Sequence, residues 1–158
     1  MGDLKLGKIP LGNVTLERLD VCRDKHLRVL GTLRDDVAIE MCYDVQYEIK
    51  EQENGVEPIG NHFLFKNDGR YCGYVYISDE YKGERTLAYI VQEKVRGRGI
   101  GKVMLTSVSK YLFDCCDTAS LKLNINNDNT AGIGLATSCG FIPNSFTDSD
   151  VIRYGRKK

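Results

Sequence analysis

Val95-Arg96-Gly97-Arg98-Gly99-Ile100-Gly101-Lys102 joins an alternating, β-branched run, Thr86-Leu87-Ala88-Tyr89-Ile90-Val91, to a long segment of helical apolar period. The order is that of a strand, a glycine-rich turn and a helix start. Alternate glycines let consecutive backbone N–H groups converge on a phosphate, because no Cβ blocks the approach. The open first turn of the helix adds unpaired donors and the positive end of its dipole. Arg96 and Arg98 bracket the turn with charge that suits a pyrophosphate.

Spacing excludes two common phosphate loops. A P-loop needs a glycine five residues before its Gly-Lys pair and a Ser or Thr after it, where this chain has Arg96 and Val103. A dinucleotide fingerprint needs a third glycine at position 102, where Lys102 stands.

Arg96-Gly97-Arg98-Gly99-Ile100-Gly101 resembles the acetyl-coenzyme A signature of the GNAT superfamily of N-acetyltransferases. A second segment, Asn129-Thr130-Ala131-Gly132-Ile133-Gly134-Leu135-Ala136-Thr137-Ser138-Cys139-Gly140-Phe141, is similar to the later family segment, in which an Asn closes the loop after a strand, a short helix follows and Gly-Phe opens the next strand. The resemblance covers about positions 60 to 154. Gly12-Asn13-Val14-Thr15-Leu16-Glu17-Arg18-Leu19 and the lack of a Tyr before Gly140-Phe141 look most like the ribosomal-protein and aminoglycoside branch.

The resemblance implies that the strands Thr86–Val91 and Ser120–Ile125 are parallel neighbours that splay apart. The gap then admits the pantetheine arm of acetyl-coenzyme A, which hydrogen-bonds like an added strand to the backbone near Ile90, Val91 and Gln92. Val95, Arg96, Gly97, Arg98, Gly99, Ile100, Gly101 and Lys102 would hold the pyrophosphate, and Asn129 would line the groove. The implied reaction is direct attack by an amine on the thioester. A backbone N–H near Val91 would polarise the carbonyl as negative charge develops on it. Many members place a Tyr four residues before the Gly-Phe pair, where this chain has Ala136. The remaining candidates for moving a proton are Ser138, Cys139 and Tyr89, with Glu93 through water. Glu40 or Glu48 are candidates for contacting a cationic amine. The acceptor is an amine-bearing small molecule or a protein N-terminus or lysine. Ala136 also keeps open a second class, a noncatalytic acetyl-coenzyme A sensor or regulatory subunit.

A chain of 158 residues suits one enzyme-sized domain spanning 1–158. With 22 basic and 22 acidic side chains it offers no bulk field for nucleic acid or an anionic membrane. No apolar run reaches the roughly 18 residues of a membrane span, and the polar start lacks the apolar core of a secretion signal. The six cysteines have no Cys-x-x-Cys spacing, so free thiols in the cytoplasm are expected and a metal site is not. Family members are often homodimers, but one sequence gives no interface.

Outward from the turn, the periodicity predicts a first strand at Val14–Leu19, helical segments around Leu27–Leu33 and Val37–Tyr47, and strands at His62–Phe65 and Tyr71–Ile77. Asn67-Asp68-Gly69 between those strands is a hairpin signal. A helix follows from Ile100 to about Phe113, then a strand at Ser120–Ile125 and a helix at Thr130–Ser138 that Asn129 caps and Gly140 ends. Phe141–Phe146 and Val151–Tyr154 form a closing antiparallel pair, and the basic end after Tyr154 reads as solvated. The expected fold class is mixed α/β: a largely antiparallel sheet with helices on both faces.

Overall fold

A computed structural model describes residues 4–20, 22–34, 50–51, 54, 61–146 and 150–158. The expected helix at 37–47, with Glu40 and Glu48, lies outside the described residues. In chain order the elements are β1 (Lys8–Leu11), β2 (Val14–Arg18), α1 (Asp24–Arg34), β3 (Asn61–Asn67), β4 (Arg70–Ile77), β5 (Glu84–Val91), a 3-10 turn (Glu93–Val95), α2 (Ile100–Cys115), β6 (Ser120–Asn126), α3 (Thr130–Ser138), β7 (Ile142–Phe146) and β8 (Val151–Lys157).

The strands form one sheet in the order β1-β2-β3-β4-β5-β6-β8-β7. Every neighbouring pair is antiparallel except β5 and β6. Strand alternation sends side chains to two faces, and each face has its own core. On one, Leu30 and Leu33 of α1 pack with Leu64, Tyr74 and Ile90. On the other, Met104, Leu105, Val108 and Leu112 of α2 pack with Phe63, Phe65, Val75, Leu87, Leu121 and Leu123, and Ala136 of α3 joins them.

Two segments depart from the sequence reading. β1 was not expected, because its four residues include Pro10 and bury only Ile9 completely enough to mark a face. It survives as an edge strand, where a missing N–H can face solvent, and Gly12 turns it into β2 at a φ of 74°. The basic end is not a solvated tail: β8 runs to Lys157, which pairs with Ser120. Its charge hid a strand whose Arg156 guanidinium lies over the Phe113 ring.

α1 is fastened to the sheet by a buried carboxylate. Glu17 of β2, 5% exposed, accepts hydrogen bonds at Oε1 from the Tyr71 hydroxyl at 2.6 Å, His26 Nε2 at 2.7 Å and Arg23 at 3.0 Å. His26 Nδ1 accepts from the Asp20 N–H, which leaves Nε2 as the donor to Glu17. Burial pushes the Glu17 carboxyl up, but the bonds from Tyr71 and His26 and the charge of Lys66 outweigh it and bring the pKa down to about 2. Burial and the same bond push the Tyr71 phenol up to about 12.

Because the folded pKa of Glu17 is depressed, its stabilisation is present above about 4.5 and is lost as pH falls from there toward 2. Glu17→Gln should lower stability at neutral pH by on the order of 3 kcal/mol and remove this acid-limb dependence. Urea unfolding of both proteins between these pH values checks it: parallel curves would show that Glu17 does not carry the effect.

Candidate active site

The parallel pair supplies the groove. β5 and β6 are in register from Glu84–Ser120 to Leu87–Leu123 and no further, although β5 continues to Val91 and β6 to Asn126. Beyond Leu87 the two strands splay. A strand directs its N–H and C=O groups alternately to its two edges. The Thr86 carbonyl accepts from Ser78 N–H, and Gln92 N–H donates to the Cys72 carbonyl at 2.7 Å, so the even-numbered residues between them are turned toward β4. Leu87 turns its backbone groups to β6, and beyond it Tyr89 and Val91 turn theirs toward the gap.

This parity refines the expected pantetheine contacts. Of Ile90, Val91 and Gln92, only Val91 faces the groove with its backbone. Gln92 N–H is already spent on Cys72. The Ile90 carbonyl lies so close to Gly73 that a Cβ there would sit 2.0 Å from it. The Gln92 side chain instead points into the α1 side of the core. Its Nε2 donates to Thr32 Oγ1 at 2.8 Å, and that hydroxyl donates to the Val29 carbonyl.

At the mouth of the groove, Val95 N–H and Arg96 N–H close the 3-10 turn on Gln92 and Glu93, and Val103 N–H bonds the Gly99 carbonyl. Between them the N–H groups of Gly97, Arg98, Gly99, Ile100, Gly101 and Lys102 have no backbone acceptor among the described residues. That is a run of donors ending in the first turn of α2, which Gly99 caps without a side-chain bond.

The glycines serve different purposes. Gly97 and Gly99 have φ near 75°, and a Cβ on either would meet nothing within 4 Å, so the turn needs their left-handed backbone and presents open space. A Cβ on Gly101 would lie 3.1 Å from Leu135 and 3.4 Å from Val91. Gly101 is therefore small because α2, α3 and the end of β5 meet there. Arg98 and Lys102 are exposed at the cradle, whereas Arg96 Nε donates to the Val91 carbonyl at 3.0 Å and ties the turn to the strand.

Across the splay, Asn129 caps α3, its Oδ1 accepting from Gly132 N–H at 2.9 Å. With the oxygen so engaged, Nδ2 remains as the donor, and it has no partner among the described residues. The proton-handling candidates are not gathered at this mouth. Ser138 Oγ bonds back to the Leu135 carbonyl, and Cys139, buried, lies 3.7 Å from Thr106 Oγ1, further along α2 than the Gly101–Leu135 contact. Tyr89 packs partly buried against the α2 side of the core, Glu93 is exposed, and Ala136 is fully buried. No group of three or more His, Cys, Asp or Glu side chains among the described residues is placed to hold a metal ion.

A family model for the acetyltransferase (GNAT) family matches residues 29–141, which include the groove, the cradle and α3. The chain belongs to this family. Its reaction is acetyl transfer from acetyl-coenzyme A to an amine. No curated protein matches the sequence. Among solved structures, the fold is shared with the Campylobacter jejuni N-acetyltransferase PseH in complex with acetyl coenzyme A, at 14% identity and a TM-score of 0.68, covering 92% of this chain and 99% of that one. It is shared too with the ribosomal L7/L12 alpha-N-protein acetyltransferase RimL, at 16% identity, a TM-score of 0.72 and coverage of 96% and 94%. A Vibrio cholerae spermidine N-acetyltransferase in complex with CoA and spermine gives 15%, 0.71, and 92% and 95%.

Asn129→Asp separates capping from ligand binding, since it keeps an oxygen for Gly132 N–H and removes the Nδ2 donor. The melting temperature should stay within a few degrees of the parent while acetyl-coenzyme A binds roughly tenfold more weakly. Calorimetric titration of the folded variant checks this, and unchanged affinity would leave Asn129 a cap alone.

Proposed function

We infer that this chain is an active acetyltransferase in which a neutral amine attacks the acetyl-coenzyme A thioester directly. The observation that carries the reading is the end of β5–β6 pairing at Leu87–Leu123 beside a run of unbonded N–H groups at Gly97–Lys102. A pyrophosphate on the cradle directs the pantetheine arm down the splay, where it pairs with the groove-facing edge of β5. The thioester then lies toward the apex, past Val91 and nearer Tyr89, whose groove-facing N–H polarises its carbonyl. This shifts the oxyanion donor inward from Val91, which is left to bind the arm.

Direct attack needs a neutral nucleophile, and an ammonium must lose its proton first. Cys139 is a poor covalent relay, because it is buried against Thr106 and no imidazole touches it. The departing thiolate collects its proton from solvent or the groove, in keeping with an alanine at position 136. The acceptor is a small-molecule amine or a protein amino group, the domain spans 1–158, and free cysteines at 22, 72, 115, 116 and 139 suit a reducing cytoplasm.

Incubation with acetyl-coenzyme A and a panel of peptides and small amines, followed by mass spectrometry, should give a stable acetyl amide. Cys139→Ser should retain most of the rate, and rapid quench without acceptor should show no acetylated enzyme. Saturable cofactor binding with no product from any amine would favour the sensor reading, and a kinetically competent acetyl-Cys139 would overturn direct transfer.

A further inference from the structure

Gln92 stands at the joint between the groove edge and the cradle. It follows Val91, the last residue of β5, and precedes the 3-10 turn that leads to the glycines. Its N–H donates to the Cys72 carbonyl at 2.7 Å, and its own carbonyl accepts from Val95 N–H at 3.1 Å. Beyond Leu87, β4 holds β5 along one edge and β6 no longer holds the other. A further hold on this segment comes from the face of the sheet, through the Gln92 side chain.

Gln92 is only 4% exposed, and its Nε2 donates to Thr32 Oγ1 of α1 at 2.8 Å. The Thr32 hydroxyl gives its proton to the Val29 carbonyl at 2.6 Å, so its oxygen is left to accept and the amide orientation is fixed. Gln92 Oε1 is then buried with no hydrogen-bond partner among the described residues. A half-satisfied buried amide lowers stability relative to an apolar chain of the same shape. Fold stability therefore gives no reason for an amide at this position.

α1 has other anchors. Leu30 and Leu33 are fully buried and pack with Ile90, and His26 and Arg23 bond the Glu17 carboxylate at the start of the helix. Apolar contact is non-directional and leaves a helix free to shift along a strand. A hydrogen bond to one hydroxyl sets one position. That position bears on the peptide between Val91 and Gln92, whose carbonyl Arg96 Nε also grips from the cradle turn.

We propose, on the reading that groove and cradle hold acetyl-coenzyme A, that Gln92 is a positioning residue which, through Thr32, fixes the end of β5 so that Val91 N–H and the donors of Gly97–Lys102 are aligned for one cofactor molecule. Gln92 reaches the cofactor only through the backbone it holds. Alignment before binding removes part of the ordering that binding would otherwise have to impose. The unpartnered Oε1 makes this alignment a loss to the stability of the empty protein.

Melting temperature and calorimetric affinity for acetyl-coenzyme A, measured on the same variants, test this. Gln92→Met removes the amide and keeps an unbranched chain, so it should melt at or above the parent temperature and yet bind the cofactor about fivefold more weakly. Thr32→Val removes the acceptor and should weaken binding by a similar factor. Thr32→Ser restores the acceptor and should bind as the parent does. Parent-like affinity in Gln92→Met, a fall in its melting temperature, or equal weakening by Thr32→Ser and Thr32→Val would each overturn the proposal. Lys102→Glu tests the cradle separately, because it reverses a charge there and touches none of the Gln92 contacts: unchanged affinity in that variant would contradict the cradle and not the positioning contact.

Discussion

The structure depends on one interruption: β5 and β6 pair in parallel as far as Leu87 and Leu123 and then part. A sheet interior leaves no backbone donor or acceptor unused, so strands that separate in mid-sheet create an edge inside the molecule. Antiparallel β4 holds one side of β5 through Val91, which keeps the strand extended while its other side is open. In the proposed reading the cofactor arm takes the place of a missing strand segment and is recognised by main-chain geometry more than by side chains.

The helices set the width and the ends of that gap. α2 begins where β5 ends, and Gly101 lets Leu135 of α3 and Val91 of β5 meet at its first turn. On the other face α1 is held at one end by the buried Glu17 carboxylate and at the other by Thr32 against Gln92. The same helix thus links β2 to the residue that follows Val91. Loss of either contact would act on the groove through the position of α1 and not through any group that touches substrate.

The cradle, α2, α3 and the hairpin at Asp68-Gly69 were legible because their signals are local: glycine spacing, a helical stripe, an N-cap, a turn that needs positive φ, which Asp68 and Gly69 both adopt. β1 and the end of β8 were not, since a four-residue edge strand and a strand of Gly, Arg and Lys owe their form to pairing with distant partners. The turn expected over Val95–Lys102 was legible from its glycines, but that Val95 and Arg96 N–H close a 3-10 turn, and which backbone groups of β5 face the groove, were not. That parity follows from the register with β4, and register is a long-range property. The pairing of Asn61 with Asp79 is of the same kind, joining β3 to the connection after β4 through a contact that no short motif announces.

Amide hydrogen exchange, with and without acetyl-coenzyme A, tests the central claim most directly. The account predicts that the cofactor protects the N–H groups of Val91 and of Gly97 through Lys102, while Gln92, already bonded to Cys72 across β4, changes little. Protection that falls on Gln92 in place of Val91, or that leaves the glycine turn unchanged, would contradict it.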